Sequence, residues 1–183
     1  MKLLALRCPE CEQPLTPENE HVVTLCPHCD LAVRLADEGL ARLDLHFARP
    51  EGDPPVAVWQ PFWVFDGQVQ ITQRETQGGN RLAAQESAHL WSQPRRFYVP
   101  AWDLPLKEAQ EIGSRLVQAQ PAVQAGPAPR HPSLLPITVT AEDAAKLLDF
   151  IILAIEARRA DWLKNLRFRL EVGPGQLWAW PAG

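Results

Sequence analysis

"HVVTLCPHCDLAVRL", residues 21–35, sets two short apolar runs on either side of a Cys-Pro-His-Cys turn. The β-branched run His21 to Leu25 reads as a strand entering the turn. Leu31, Val33 and Leu35 alternate with Ala32 and Arg34, so the second run reads as the strand leaving it. Taken alone, Cys26-Pro27-His28-Cys29 is a redox signature, a dithiol whose low pKa comes from a helix N-terminus in a βαβ unit. It is not alone. Cys8-Pro9-Glu10-Cys11 repeats the pattern, residues 12–25 separate the pairs, and all 4 cysteines of the chain lie in these two turns. Two Cys-x-x-Cys turns at this separation suit a tetrahedral four-thiolate metal site. Each turn curls its backbone so that both sulfurs face one centre. The intervening hairpin, with turn residues in "TPENE" at 16–20, brings the turns together.

On these paired turns and their flanking strands, residues 6–36 resemble the zinc ribbon family and, more distantly, the rubredoxins, whose turns bind iron. The resemblance implies a structural Zn²⁺, with iron as the alternative, held by Cys8, Cys11, Cys26 and Cys29. One departure stands out. The family usually places Gly after the second Cys of each turn, where φ is positive. Here Glu12 and Asp30 occupy those places. Asp tolerates that conformation better than Glu, so the first turn is expected to be the looser one. His21 and His28 are further donors nearby, with His28 read as pointing outward. A four-sulfur shell has no open position, so the metal is expected to be structural rather than catalytic.

The totals narrow the classes. The chain has 183 residues, 46% hydrophobic and 22% charged, a globular composition, with a formal net charge of −4. Its N-terminal apolar run is too short for a secretory signal. No stretch supplies the roughly 20 apolar residues of a membrane span. A cytoplasmic location with reduced thiols is therefore the expectation, and there paired cysteines bind metal more often than they form bridges. Nucleic-acid binding by the ribbon is disfavoured. Lys2, Arg7 and Arg34 face Glu10, Glu12, Glu18, Glu20 and Asp30 in residues 1–36, and a zinc tetrathiolate adds negative charge, whereas phosphate contacts need positive charge.

Beyond a turn at 36–39, "ARLDLHF" (41–47) alternates as one half-buried strand, and 48–55 is a loop rich in chain breakers. In "VAVWQPFWVFDGQVQITQRET" (56–76), Asp66-Gly67 between apolar runs predicts a two-residue hairpin. That register makes Val64, Val69, Phe62 and Ile71 the core face. It sets Trp63 and Phe65 among Gln68 and Gln70, on a face that either the chain's own helices cover or a partner meets. Pro61 restricts its strand to an edge or bulge. Residues 73–89 read as a polar excursion, 95–102 as a strand and 103–120 as a helix weakened by Gly113. The segment 121–136, with prolines at 121, 127, 129, 132 and 136, reads as an extended linker. A short strand at 137–139 precedes a helix over 140–166, capped by Thr140, apolar on nearly every side over 144–155 and amphipathic after Glu156. The chain closes as a hairpin around Gly173-Pro174-Gly175, with Trp178 and Trp180 on the Arg169 side.

The expected fold is α+β: a zinc ribbon at 1–39, then a Trp-rich domain at 40–183 with an antiparallel or mixed sheet and two main helices. No phosphate loop, dinucleotide fingerprint, Gly-x-Ser-x-Gly elbow or His-Glu-x-x-His occurs. Asp149, within the apolar helix, is the one acid expected to be either buried or on a rim. These features suggest a non-enzymatic interaction protein, an accessory subunit, adaptor or assembly factor. It would meet another protein or its own copy through Trp63, Phe65, Trp178 and Trp180, with the ribbon tip at 18–22 as a second contact. Thiol redox or metal sensing through the four cysteines is the alternative, and nucleic-acid binding a third.

Overall fold

The apolar runs around Cys26–Cys29 form strands because each has a face to bury. In the computed structural model, which describes residues 6–18, 20–36, 39–49, 52 and 54–182, β1 (Val23–Leu25) pairs antiparallel with β2 (Ala32–Ala36). β3 (Gly39–Leu43) completes a three-stranded sheet. Expectations for residues 1–5, Asn19, the Asp37-Glu38 turn, and Pro50, Glu51 and Asp53 lie outside the described residues. The single strand expected over 41–47 breaks at Asp44. Its first half stays in the small sheet, and its second half, β4 (Leu45–Ala48), joins the larger one.

The larger sheet is built on β5 (Trp59–Gln77), 19 residues long. The hairpin expected at Asp66-Gly67 does not form. Gly67 is not among the positive-φ residues. It sits where β5 changes neighbours, opposite Arg95 on one side and Val172 on the other. A Cβ there would lie 2.6 Å from Val172 Cγ1 and 2.8 Å from the Glu171 carbonyl. The glycine therefore marks a close approach of strands rather than a turn. Pro61 lies inside this strand and not at an edge. Its carbonyl accepts from the Ala101 N–H at 2.9 Å, beyond the end of β6 (Arg95–Pro100), so no ladder donor is needed there.

The closing hairpin is also absent. β8 (Trp162–Val172) and β9 (Gln176–Pro181) both run antiparallel to β5, β8 beside residues 67–77 and β9 beside 59–64. Gly173–Gly175 thus interrupts one long return strand instead of reversing it. β9 pairs in parallel with β4, and β4 with the two-residue β7 (Ala125–Gly126), which makes the sheet mixed.

The structure has three helices among the described residues. α1 (Arg81–Trp91) replaces the expected polar excursion. Asn80 caps it, its side chain accepting from the N–H groups of Leu82 and Ala83. Its buried stripe is Ala83, Ser87 and Trp91, too small and polar to announce an amphipathic helix. α2 (Leu106–Ala119) forms within the expected 103–120 but starts three residues later, with Pro105 at its N-cap rather than in its first turn. α3 (Ala141–Ala157) starts at its Thr140 cap but ends nine residues before the expected Leu166. Residues from Trp162 onward instead pair with the second half of β5, a tertiary contact that overrides local helical character.

α3 is not buried all round. Ala144, Leu148, Ile151, Ile152 and Ile155 form its inner stripe, while Phe150 and Leu153 are 45% and 39% exposed and Asp149 is exposed. The inner stripe meets Trp63, Phe65, Phe97 and Val99 from the sheet in the main core. The opposite sheet face carries a smaller cluster of Phe62, Val64 and Tyr98, flanked by Trp102, Trp178 and Trp180.

The proline-rich segment is stitched down along its length rather than hanging as a free linker. Arg49 N–H bonds the Gln124 carbonyl at 2.8 Å, Trp59 N–H the Ser133 carbonyl at 2.8 Å, and Leu135 N–H the Trp59 carbonyl at 2.9 Å. In place of a strand at 137–139, Ile137 makes a single bridge to Val23. The α+β class is as expected.

Candidate metal centre

The two Cys-x-x-Cys turns share one hydrogen-bonding pattern. Glu12 N–H bonds the Cys8 carbonyl at 3.0 Å and Asp30 N–H the Cys26 carbonyl at 2.9 Å. Cys8 N–H reaches the Gln13 carbonyl and Cys26 N–H that of Leu31, both at 2.9 Å. Glu12 and Asp30 take φ of 58° and 57°. The first turn is therefore wound as tightly as the second, and Glu12 adopts a conformation that its side chain disfavours.

These turns bring together the four sulfurs expected from the sequence. All lie within 4.8 Å of one another, with Cys8 to Cys29 at 3.6 Å and Cys11 to Cys26 at 3.5 Å. An ion bound to sulfur at about 2.3 Å in tetrahedral geometry sets its ligands roughly 3.8 Å apart, so the cluster can hold a metal ion. Cys8 and Cys26 are buried, Cys11 half-buried and Cys29 exposed. Leu15 and Val33 fill the space behind the sulfurs. His28 is exposed and His21 lies 3.7 Å from Glu18; neither joins the sulfur cluster.

Electrostatics favours a cation. Burial opposes a thiolate at Cys8, but backbone N–H groups of Cys11 and Glu10 overcome it and bring that thiol down to about 7. At Cys29 the Leu31 N–H favours the thiolate, yet partial loss of hydration and the three other sulfurs together push the thiol up to about 12, although the residue is exposed. Four sulfurs this close cannot all ionise by themselves. A bound cation would supply the compensating charge.

The ribbon is fastened to the rest of the chain on its other side. Val22 N–H bonds the Ile137 carbonyl at 2.9 Å, and Val23 and Ala32 belong to the main core beside Trp63 and Leu148. The tip residue Val22, expected to be free for a partner, is thus docked on the chain itself. Arg34 lies 3.6 Å from Glu142 in the first turn of α3, and Asp30 Oδ1 lies 3.5 Å from His131 Nδ1.

The aromatic residues expected to meet a partner divide. Trp63 and Phe65 are only 2% and 3% exposed. The missing hairpin explains this, because the continuous strand turns both side chains into the core, where Trp63 Nε1 donates to the Val139 carbonyl at 2.7 Å. Trp178 and Trp180 are half-buried on the opposite face. They share that face with Arg169 but lie along the sheet from it. Trp178 is opposite Phe62, and Arg169 is opposite Gln70.

One constellation escaped sequence reading. Glu156, buried, accepts from Trp91 Nε1 (2.9 Å), Arg159 Nε (2.8 Å) and Arg74 Nε (2.8 Å). Arg74 also grips Asp161 through two bonds of 2.6 and 2.7 Å. Burial opposes the Glu156 carboxylate, but its three donors hold the carboxyl below its usual range; Arg74 does the same for Asp161. Arg74 and Glu156 are 82 residues apart, so no local signal existed. No protein family, curated protein or solved structure matches the chain.

Proposed function

We propose that this chain is a non-enzymatic interaction protein, an accessory subunit, adaptor or assembly factor, in which a structural Zn²⁺ clamps the N-terminal ribbon onto an α+β body. The observation that carries the reading is the convergence of four sulfurs within 4.8 Å from two matching turns. Four sulfur ligands complete a tetrahedral shell and leave no position for a substrate. The division into a clamp at 1–39 and a body at 40–183 belongs to this reading. β3 carries the small sheet on to Leu43, and the clamp's inner face rests on the body's core. The half-buried Trp178 and Trp180, beside Trp102, supply an aromatic face of the kind that interfaces favour.

The test is metal content together with thiol chemistry on the full chain. The expected result is one zinc per chain, with four thiols protected until the metal is chelated. Absence of both zinc and iron, with a reversible disulfide between Cys26 and Cys29, would defeat the proposal. The exposure of Cys29 favours a second reading, redox or metal sensing, since an oxidant can reach that sulfur first. Stoichiometric zinc release by micromolar peroxide, reversed by a thiol reductant, would select it.

A further inference from the structure

We infer that the open edge of β8 is a docking site for an extended partner segment that alternates apolar and acidic residues. This rests on reading the protein as an interaction module and names the kind of partner.

β8 is 11 residues long and, among the described residues, pairs only with β5. The direction of its backbone groups follows from one bond. Gly173 N–H donates to the Asp66 carbonyl at 2.9 Å, and antiparallel pairing alternates from there. Glu171 and Arg169 therefore bond β5, whereas Val172, Leu170 and Phe168 turn their N–H and C=O groups to the open side. The register is regular through Gly67↔Val172 to Ile71↔Phe168.

The two faces of this edge specify its occupant. On the core side, Leu166, Phe168 and Leu170 are packed against the main core yet only half-buried, because no strand lies beside them. On the other side, Arg167, Arg169 and, nearer the end of the strand, Glu171 are exposed opposite the uncharged Gln73, Gln70 and Gln68, so positive charge prevails at the centre of the edge. An added strand would cover the first set with apolar side chains and meet the second with carboxylates. Main-chain bonds would supply affinity and the alternating side chains specificity.

Over its second half this edge is guarded only by exposed charges, which an oppositely charged strand can pair. A register irregularity leaves Lys164 unpaired near the start of β8, which guards that end. Residues 165–172 contain no proline, and the irregularity opposite Arg167 and Phe168 has its extra residue, Thr72, in β5. A second copy is a poorer occupant. An antiparallel register centred on Phe168 sets Arg167 against Arg169 of the other copy, a like-charge pair, and one centred on Arg169 gains Arg167–Glu171 pairs but sets Arg169 against Arg169. Matching Arg169 with Glu171 shortens the overlap and runs it toward Pro174.

The test uses the full-length, metal-loaded protein and a fluorescent nonapeptide of alternating valine and glutamate, with a valine–lysine peptide as control. The glutamate peptide should bind saturably and the lysine peptide should not. Arg167→Glu combined with Arg169→Glu should weaken binding at least tenfold. Val172→Pro removes an outward N–H that bonds nothing in β5, and should weaken binding without changing charge. Bound peptide should slow amide exchange at Phe168, Leu170 and Val172, while Arg169 and Glu171 stay slow throughout. No binding, equal binding of both peptides, or unchanged exchange at those three amides would overturn the assignment. So would a dimer that Arg167→Glu dissociates, since the edge would then serve a second copy. A native partner retained equally by the double variant would overturn the β8 assignment and leave the interaction reading intact. Failure of the structural-zinc reading is scored separately, by metal content.

Discussion

Glu12 and Asp30 show how a cysteine knot overrides residue preference. The turn geometry demands positive φ after the second cysteine, and both residues comply at 58° and 57°. The strain is greater for Glu12, whose side chain gains little from that conformation. Glu12→Gly should therefore stabilise the ribbon by about 0.5–1 kcal/mol, after allowing for glycine's larger unfolded-state entropy. Urea titration of the metal-bound protein followed by exchange at Cys8 to Gln13 measures this; a loss of stability would mean that the side chain makes a contact that outweighs the strain. Gly67 makes the opposite point. A glycine beside Asp reads as a turn from sequence, but here it admits Val172 and Glu171 at distances no Cβ accepts. Conformational freedom and lack of volume are two properties of one residue, and sequence alone does not say which is in use.

Among the elements, α2 and α3 pack closely because Gly113 leaves room. A Cβ there would meet Ile151 Cδ1 at 2.5 Å and the Tyr98 carbonyl at 3.0 Å. Gly113→Ala gains up to about 1 kcal/mol of helix propensity. Overpacking costs about 1–3 kcal/mol, and the Tyr98 backbone cannot yield as a side-chain tip can. The net expectation is a destabilisation of about 1 kcal/mol, read from the urea midpoint; a stabilised variant would mean that Ile151 and α2 move apart freely. The Arg74–Glu156–Asp161 network ties β5, α3 and the approach to β8. Arg74→Met leaves Asp161 without its cation and Glu156 with only Trp91 and Arg159, and should destabilise by about 3 kcal/mol, measured by equilibrium unfolding. Both carboxyls are held below their ordinary values in the folded chain. Their contribution is therefore complete above the unfolded carboxylate range, about pH 4–4.5, and is lost as pH falls through the folded values. Unfolding free energy should drop steeply below pH 4.5, and Glu156→Gln should be less stable at pH 7 with a shallower acid limb. An unchanged acid limb in that variant would mean that other carboxylates govern it.

Over the whole molecule, the metal's influence should fade with distance from the ribbon. Val23 and Ala32 join the main core, so chelating the metal should lower the stability of the body without unfolding it. Amides of Cys8 to Val33 should exchange freely, while those of Leu148 to Ile155 keep most of their protection. Complete loss of protection in α3 would show that clamp and body fold as one unit. Local signals held at the cysteine turns, one helix cap and three strands, and failed at both Gly-containing hairpins. The four cysteines, the strands around the second turn, the Thr140 cap and the strand at Arg95–Pro100 depend on spacing and pattern within a few residues. By itself the sequence determined the sulfur knot, the α+β class, the presence of α2 and the start of α3, because turn chemistry, capping and periodicity act over one or two turns of chain. Only the tertiary structure decided that Asp66-Gly67 runs straight, that Trp63 and Phe65 are core, that α3 stops at Ala157 and that one edge of β8 stays open. Each of those outcomes depends on which strand lies alongside, and the partner that sets it, as with Gly67 and Val172, lies about a hundred residues away.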